Sequence, residues 1–182
     1  MSNSSVRSKT RVLTFCAVCV AVAWILSRLE LFTMPQGGAV TACSRLFIVL
    51  AGFWFGPAAG CMSGAALGLL KLILGGYVVH PVQLLLDYPL AFGALGLAGF
   101  FRNMKFGLHI GYAAGVAGLF LMSFLSGVIF FASYAEGQHP ALYSAIYNFS
   151  YIWPEALFTL LFISVPAVKK ALDHIKVMGA GA

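Results

Sequence analysis

Residues 107–132 read GLHIGYAAGVAGLFLMSFLSGVIFFA, a run without a single Asp, Glu, Lys or Arg. A helix needs about 20 apolar residues to cross the hydrocarbon core of a bilayer, so this run is long enough to span one. Working outward, Arg102 to Lys105 separates it from a run at 82–101, and Ala135-Glu-Gly-Gln-His-Pro140 separates it from one at 149–168. Upstream lie runs at 12–26, 43–55 and 57–74, with Gly56-Pro57 breaking the last two and Gly75-Gly76 and His80-Pro81 marking the next connection. The reading is an all-α bundle of six transmembrane helices, with the short second helix the weakest of the set.

Composition agrees. Of 182 residues, 61% are hydrophobic and 9% are charged, with a mean hydropathy of +0.94. Soluble domains carry roughly 25% charged residues, so this chain has too few charges to cover a surface in water. That excludes a soluble globular enzyme and a disordered tail. It also argues against a nucleic-acid partner, despite a net charge of +6 and a pI near 9.3. The basic stretch before residue 12 resembles the start of a signal peptide, but no small-residue cleavage site follows closely. A retained first helix is expected. The organisation read from the sequence is a basic segment at 1–11, one membrane domain at 12–170 and a tail at 171–182, with both outer segments cytoplasmic.

The charges set that orientation. With both ends inside, Arg7, Lys9, Arg11, Arg102, Lys105, Lys169, Lys170 and Lys176 are cytoplasmic, and only Arg28, Arg45 and Lys71 fall on the outer half. Glu30, Asp87, Glu136 and Glu155 concentrate near the outer side, as do tyrosines 77, 88, 134, 143, 147 and 151. An aromatic belt accounts for some of these rings, but not for their gathering beside intramembrane acids.

Asp87, in Gln83-Leu-Leu-Leu-Asp87-Tyr88-Pro89, is the sharpest single residue. An acid within a span is costly unless it is paired or faces water. It serves either as a salt-bridge partner of Lys71 or Arg45, or as the counter-charge for a ligand entering from outside. Tyr143, Tyr147 and Asn148 share one helical face. Rings and an amide so placed suit a small, flat, cationic molecule, and they equally suit an interfacial belt with a helix cap. Met34-Pro35-Gln36-Gly37-Gly38 is a loop by composition, either a lid over a pocket or a connector. Ala17 and Ala21 form a small-xxx-small step that admits close helix approach, within the bundle or to a partner. Glu155 is a second buried-acid candidate. Cys16-Ala-Val-Cys19 lacks a second pair or histidines at ligand spacing, so it reads as core, and no metal or cofactor is expected. No nucleophile–base pair or nucleotide fingerprint is present. A small membrane enzyme or a purely structural bundle subunit is the competing class, and the first would need a reactive site that the sequence does not offer.

Four stretches in order bring a family into view: Met34 to Gly38, Gly75 to Phe92, Ser126 to Gly137, and Tyr143 to Asn148 continuing through Pro154-Glu155. Over residues 12–168 the chain resembles the thiamine-specific substrate-binding (S) components of energy-coupling factor (ECF) transporters. The resemblance implies a six-helix membrane bundle in a prokaryotic cell membrane with a vitamin pocket near the outer face. It also implies three partners, a transmembrane coupling subunit and two cytoplasmic ATPases, so the chain itself is not an enzyme. The S component binds outside, reorients, and releases inside when the ATPases turn over. Asp87, Tyr77, Tyr88, Tyr143 and Asn148 stand at the family's pocket positions, and Ala17 and Ala21 at its coupling-subunit contact. Ser123 occupies a place where some thiamine binders have His, Phe131 one that is often Trp, and Lys71 one expected to be neutral. With these departures the implied ligand is thiamine or, alternatively, a pyrimidine or thiazole precursor or another small vitamin.

Overall fold

The computed structural model describes residues 3–34 and 38–180. Its order is α1 (Asn3–Ser27), a hairpin of β1 (Glu30–Thr33) and β2 (Ala39–Thr41), α2 (Ser44–Phe55), α3 (Pro57–Ile73), α4 (Pro81–Phe101), α5 (Gly107–Phe130), α6 (Pro140–Ser164) and α7 (Pro166–Ala180). The lid residues Pro35, Gln36 and Gly37 lie outside the described residues.

Prolines set the starts. Pro57, Pro81, Pro140 and Pro166 each stand at the first position of a helix, where the missing N–H costs nothing. His80 and His139 cap their helices, their Nδ1 atoms accepting from Val82 N at 3.1 Å and Ala141 N at 3.3 Å. The same chemistry inside a helix acts differently. Pro89 sits within α4, and the turn Leu86–Leu90 around it widens to π geometry. Proline removes an intrahelical bond, and wide turns of this kind occur often at functional sites. This one carries Asp87 and Tyr88.

Among the described residues three segments, Lys9–Ser27, Pro81–Phe101 and Gly107–Phe130, are long and apolar enough to cross a membrane. Pro140–Ser164 and Pro166–Met178 pass the same measure together, bent by 83° at Val165. The helices Ser44–Phe55 and Pro57–Ile73 are apolar but shorter. Helix α6 begins well before the apolar run at 149–168, and the stretch read as a tail continues as α7. Helix α7 lays Leu172 against the core and Lys176 over the Phe53 ring at 5.7 Å.

The core gathers Leu46, Leu50, Leu67, Leu95, Tyr112 and Ile152 from five helices. Helix α3 meets α4 backbone to backbone: a Cβ on Gly68 would run into the Tyr88 carbonyl, so glycine there sets how deeply the π turn sits. Cys16 and Cys19 are buried against Ala51, as small core residues are. Ala17 and Ala21 lie on the opposite, exposed face of α1. Their step is not a contact within this bundle.

Candidate functional site

At the end of the bundle away from the 102–106 turn, a cavity of about 310 Å³ opens between the hairpin and the helix ends. That size is at the lower end for small-molecule sites. Its walls come from the C-terminal ends of α1, α3 and α5 and the N-terminal ends of α2, α4 and α6.

Helix α4 supplies the acid. Gln83 Nε2 and Ser126 Oγ both donate to Asp87 Oδ2, at 2.6 and 2.8 Å. Among the described residues, Oδ1 accepts no hydrogen bond and no basic group lies within ion-pair distance of either oxygen. The salt bridge to Lys71 or Arg45 weighed from the sequence is therefore not formed. Lys71 lines the same cavity with its Nζ 5.4 Å from the Phe92 ring centroid. Arg45 pairs instead with Glu155, Nη1 to Oε2 at 3.0 Å.

Gln83 is buried and fully used. Besides Asp87, its Nε2 donates to the Tyr77 carbonyl at 3.1 Å, and its Oε1 accepts from Val79 N at 3.1 Å. It ties the 77–80 loop to the acid. Tyr88 Oη donates to the same Tyr77 carbonyl at 3.3 Å. The Tyr77 ring packs against Phe131 with centroids 6.1 Å apart, and its hydroxyl pairs with Tyr134 at 3.3 Å. That hydroxyl pair holds the Tyr77 phenol above the ordinary tyrosine range.

Helix α6 forms the facing wall. Tyr143 and Tyr147 stack at 6.1 Å. Asn148 donates to the Ser144 carbonyl at 2.9 Å and to the Ser123 carbonyl at 3.4 Å, and accepts from Tyr151 Oη at 2.8 Å. All eight residues predicted to bind a ligand, including Ser123 and Phe131, line this one cavity. The hairpin closes over it. Met34 N donates to the Gly38 carbonyl at 2.6 Å, and Gly38 N donates to Tyr147 Oη at 3.1 Å. A Cβ on Gly38 would sit 2.6 Å from Tyr151 Cε1, so only glycine fits this close against the rings.

The sequence reading gave no site role to Gln83, Ser126, Tyr151, Arg45, Thr41 and Ser44, which also line the cavity. Gln83 had a signal: it stands four residues before Asp87, on the same helical face. For Arg45 and Thr41 there was none, because their partner Glu155 lies more than 100 residues away.

Among the described residues the cavity thus offers a carboxylate oxygen that accepts no hydrogen bond and flat rings on two walls, an arrangement suited to a small aromatic cation with hydrogen-bonding edges. Comparisons with known proteins agree. The thiamine transporter ThiT of Bacillus subtilis is 33% identical over 177 residues, covering 85% of this chain and 92% of its own. ThiT of Lacticaseibacillus paracasei is 35% identical over 104 residues, covering 47% of this chain and 52% of its own. The solved structure of ThiT from Listeria monocytogenes shares the fold, with a TM-score of 0.75 at 23% identity, covering 86% of this chain and 93% of its own. Residues 13–174 match the thiamine transporter protein (Thia_YuaJ) family, and the chain belongs to that family.

Proposed function

We infer that this chain is the substrate-binding S component of an ECF-type importer, a membrane protein that captures thiamine and passes it inward. Family membership and the ThiT relatives support the class. One observation carries the ligand: Asp87 Oδ1 accepts no hydrogen bond from the described residues and lies in a cavity walled by tyrosines. A half-buried carboxylate among apolar helices calls for a partner, and thiamine brings two suitable ones, a thiazolium charge and an aminopyrimidine edge. We propose Asp87, Tyr77, Tyr88, Tyr143, Tyr147 and Asn148 as the principal contacts, with Ser123 and Phe131 beside them.

The remaining parts of the reading follow from the same family. Six spans with both ends cytoplasmic put the cavity at the outer face of the cell membrane, with the basic 102–106 turn inside. The exposed Ala17 and Ala21 step on α1 is the proposed seat for the coupling subunit. Energy comes from two partner ATPases. The Met34 to Gly38 loop is the proposed lid.

Calorimetric titration of the detergent-purified protein, stripped of bound ligand, tests this with thiamine and with its free pyrimidine and thiazole halves. Tight 1:1 binding of thiamine, lost in Asp87→Ala, is expected. Silence with thiamine beside a signal from one half would move the ligand to a precursor. Silence with all three would overturn the reading.

A further inference from the structure

Beneath the cavity floor lies a polar cluster that no proposed ligand contact uses. Glu155 is completely buried and Arg45 is 6% exposed. Thr41 donates to Glu155 Oε2 from its backbone N at 2.9 Å and from Oγ1 at 2.7 Å, and Arg45 Nη1 reaches the same oxygen at 3.0 Å. Arg45 also donates to the Ile152 carbonyl at 3.4 Å, with its guanidinium carbon 6.0 Å from the Tyr151 ring centroid.

The charges around the cavity give this cluster a purpose. Arg28, Arg45 and Lys71 line it, against Glu30 and Asp87. Three cations face two carboxylates, an excess of one positive charge in a site that is to take a cation. Glu155, just behind the wall and bonded to Arg45, brings the balance to three against three. We propose that Glu155 is a specificity-determining residue: by neutralising Arg45 at the cavity floor, it makes the site accept a cationic rather than a neutral ring. It touches no ligand and acts through Arg45. The inference rests on the thiamine reading above.

Its test separates charge from packing. Thiamine and an uncharged analogue, with a neutral thiophene in place of the thiazolium, are titrated into wild type, Glu155→Gln, Arg45→Gln and the double variant. Wild type must bind thiamine, and failure there would sink the function and not this inference alone. Glu155→Gln leaves Arg45 uncompensated at the wall of a cavity of about 310 Å³, which puts a ligand charge on the order of 8 Å from it. Coulomb's law with an effective dielectric of about 20 then predicts a loss of about ten- to thirtyfold in thiamine affinity after screening. The neutral analogue is expected to change by less than threefold. The double variant removes both charges and is expected to recover the wild-type ratio of the two affinities. Arg45→Gln, the fallback if Glu155→Gln does not fold, must not lower that ratio. Equal losses for both ligands in Glu155→Gln, or a fall in the ratio in Arg45→Gln, would reduce Glu155 to a structural clamp and overturn the proposal.

Discussion

Replacing Asp87 by Asn is the cleanest single perturbation that the site allows. Both donors to the carboxylate, Gln83 Nε2 and Ser126 Oγ, converge on Oδ2. An asparagine that places its Oδ1 where Oδ2 stood keeps both hydrogen bonds, and its amide nitrogen takes the place of the carboxylate's Oδ1. The variant therefore deletes a charge and one acceptor while leaving the network behind it intact. A ligand cation about 5 Å from that charge, at an effective dielectric of about 20, loses about 3 kcal/mol, or roughly a hundredfold in Kd. A ligand that uses Oδ1 through its aminopyrimidine edge loses a charge-assisted hydrogen bond, about 1.5–3 kcal/mol. Titration calorimetry with thiamine measures the total, and the same titration with the separate halves assigns it. If the thiazole half weakens, the carboxylate serves the cation; if the pyrimidine half weakens, it serves that edge. A thiamine Kd within threefold of wild type, with the melting temperature preserved, would refute the assignment of Asp87 to the ligand.

Three further outcomes are expected. Lys71→Gln removes a cavity cation that has no carboxylate partner among the described residues, so thiamine is expected to bind about fivefold tighter by calorimetry, from roughly 1 kcal/mol of relieved repulsion; an unchanged Kd would show that Lys71 does not oppose the charge of the ligand. Gly68→Ala forces a Cβ against the Tyr88 carbonyl and is expected to cost about 1–3 kcal/mol, read as a lowered melting temperature together with weaker thiamine binding. If neither moves, α3 and α4 do not meet as closely as described. The pair Ala17→Leu and Ala21→Leu alters an exposed face remote from the cavity; thiamine binding by the purified chain is expected to hold, while uptake into proteoliposomes with the coupling subunit and ATPases is lost. Retained uptake would move the docking face elsewhere.

What could be read from the sequence follows from what each signal measures. Long uncharged runs report burial in lipid, so α1, α4 and α5 were visible from composition alone. The apolar run of α6 starts only at 149, because the first turns of the helix carry Tyr143, Ser144, Tyr147 and Asn148 for the cavity; there the shared helical face of Tyr143, Tyr147 and Asn148, not hydropathy, marks the opening of the span. A hydropathy signal fails where a membrane helix turns polar for function. The apolar run continues to 168 through Val165 and Ala167, but Pro166 starts a new helix there. The hairpin gave no signal, since strands of four and three residues are too short for an alternating pattern to stand out.

The charged residues show the deeper limit. One sequence places Arg45 and Lys71 on the outer half with Asp87 and Glu155, and cost arguments then demand partners. They cannot say which cation takes which acid. Pairing Arg45 with Asp87 would have filled the cavity's own carboxylate and left Glu155 bare in the core. The fold chooses the opposite pairing because the hairpin delivers the Thr41 N–H and hydroxyl to Glu155, and α2 starts at Ser44 beside it. Those donors complete a shell around a deep charge that water cannot reach. The shallower Asp87 is served on one oxygen by two neutral donors, and its other oxygen accepts from none of the described residues. The deep acid is thus satisfied within the fold and the shallow one is left to be satisfied from outside it, which is the division that a binding site requires.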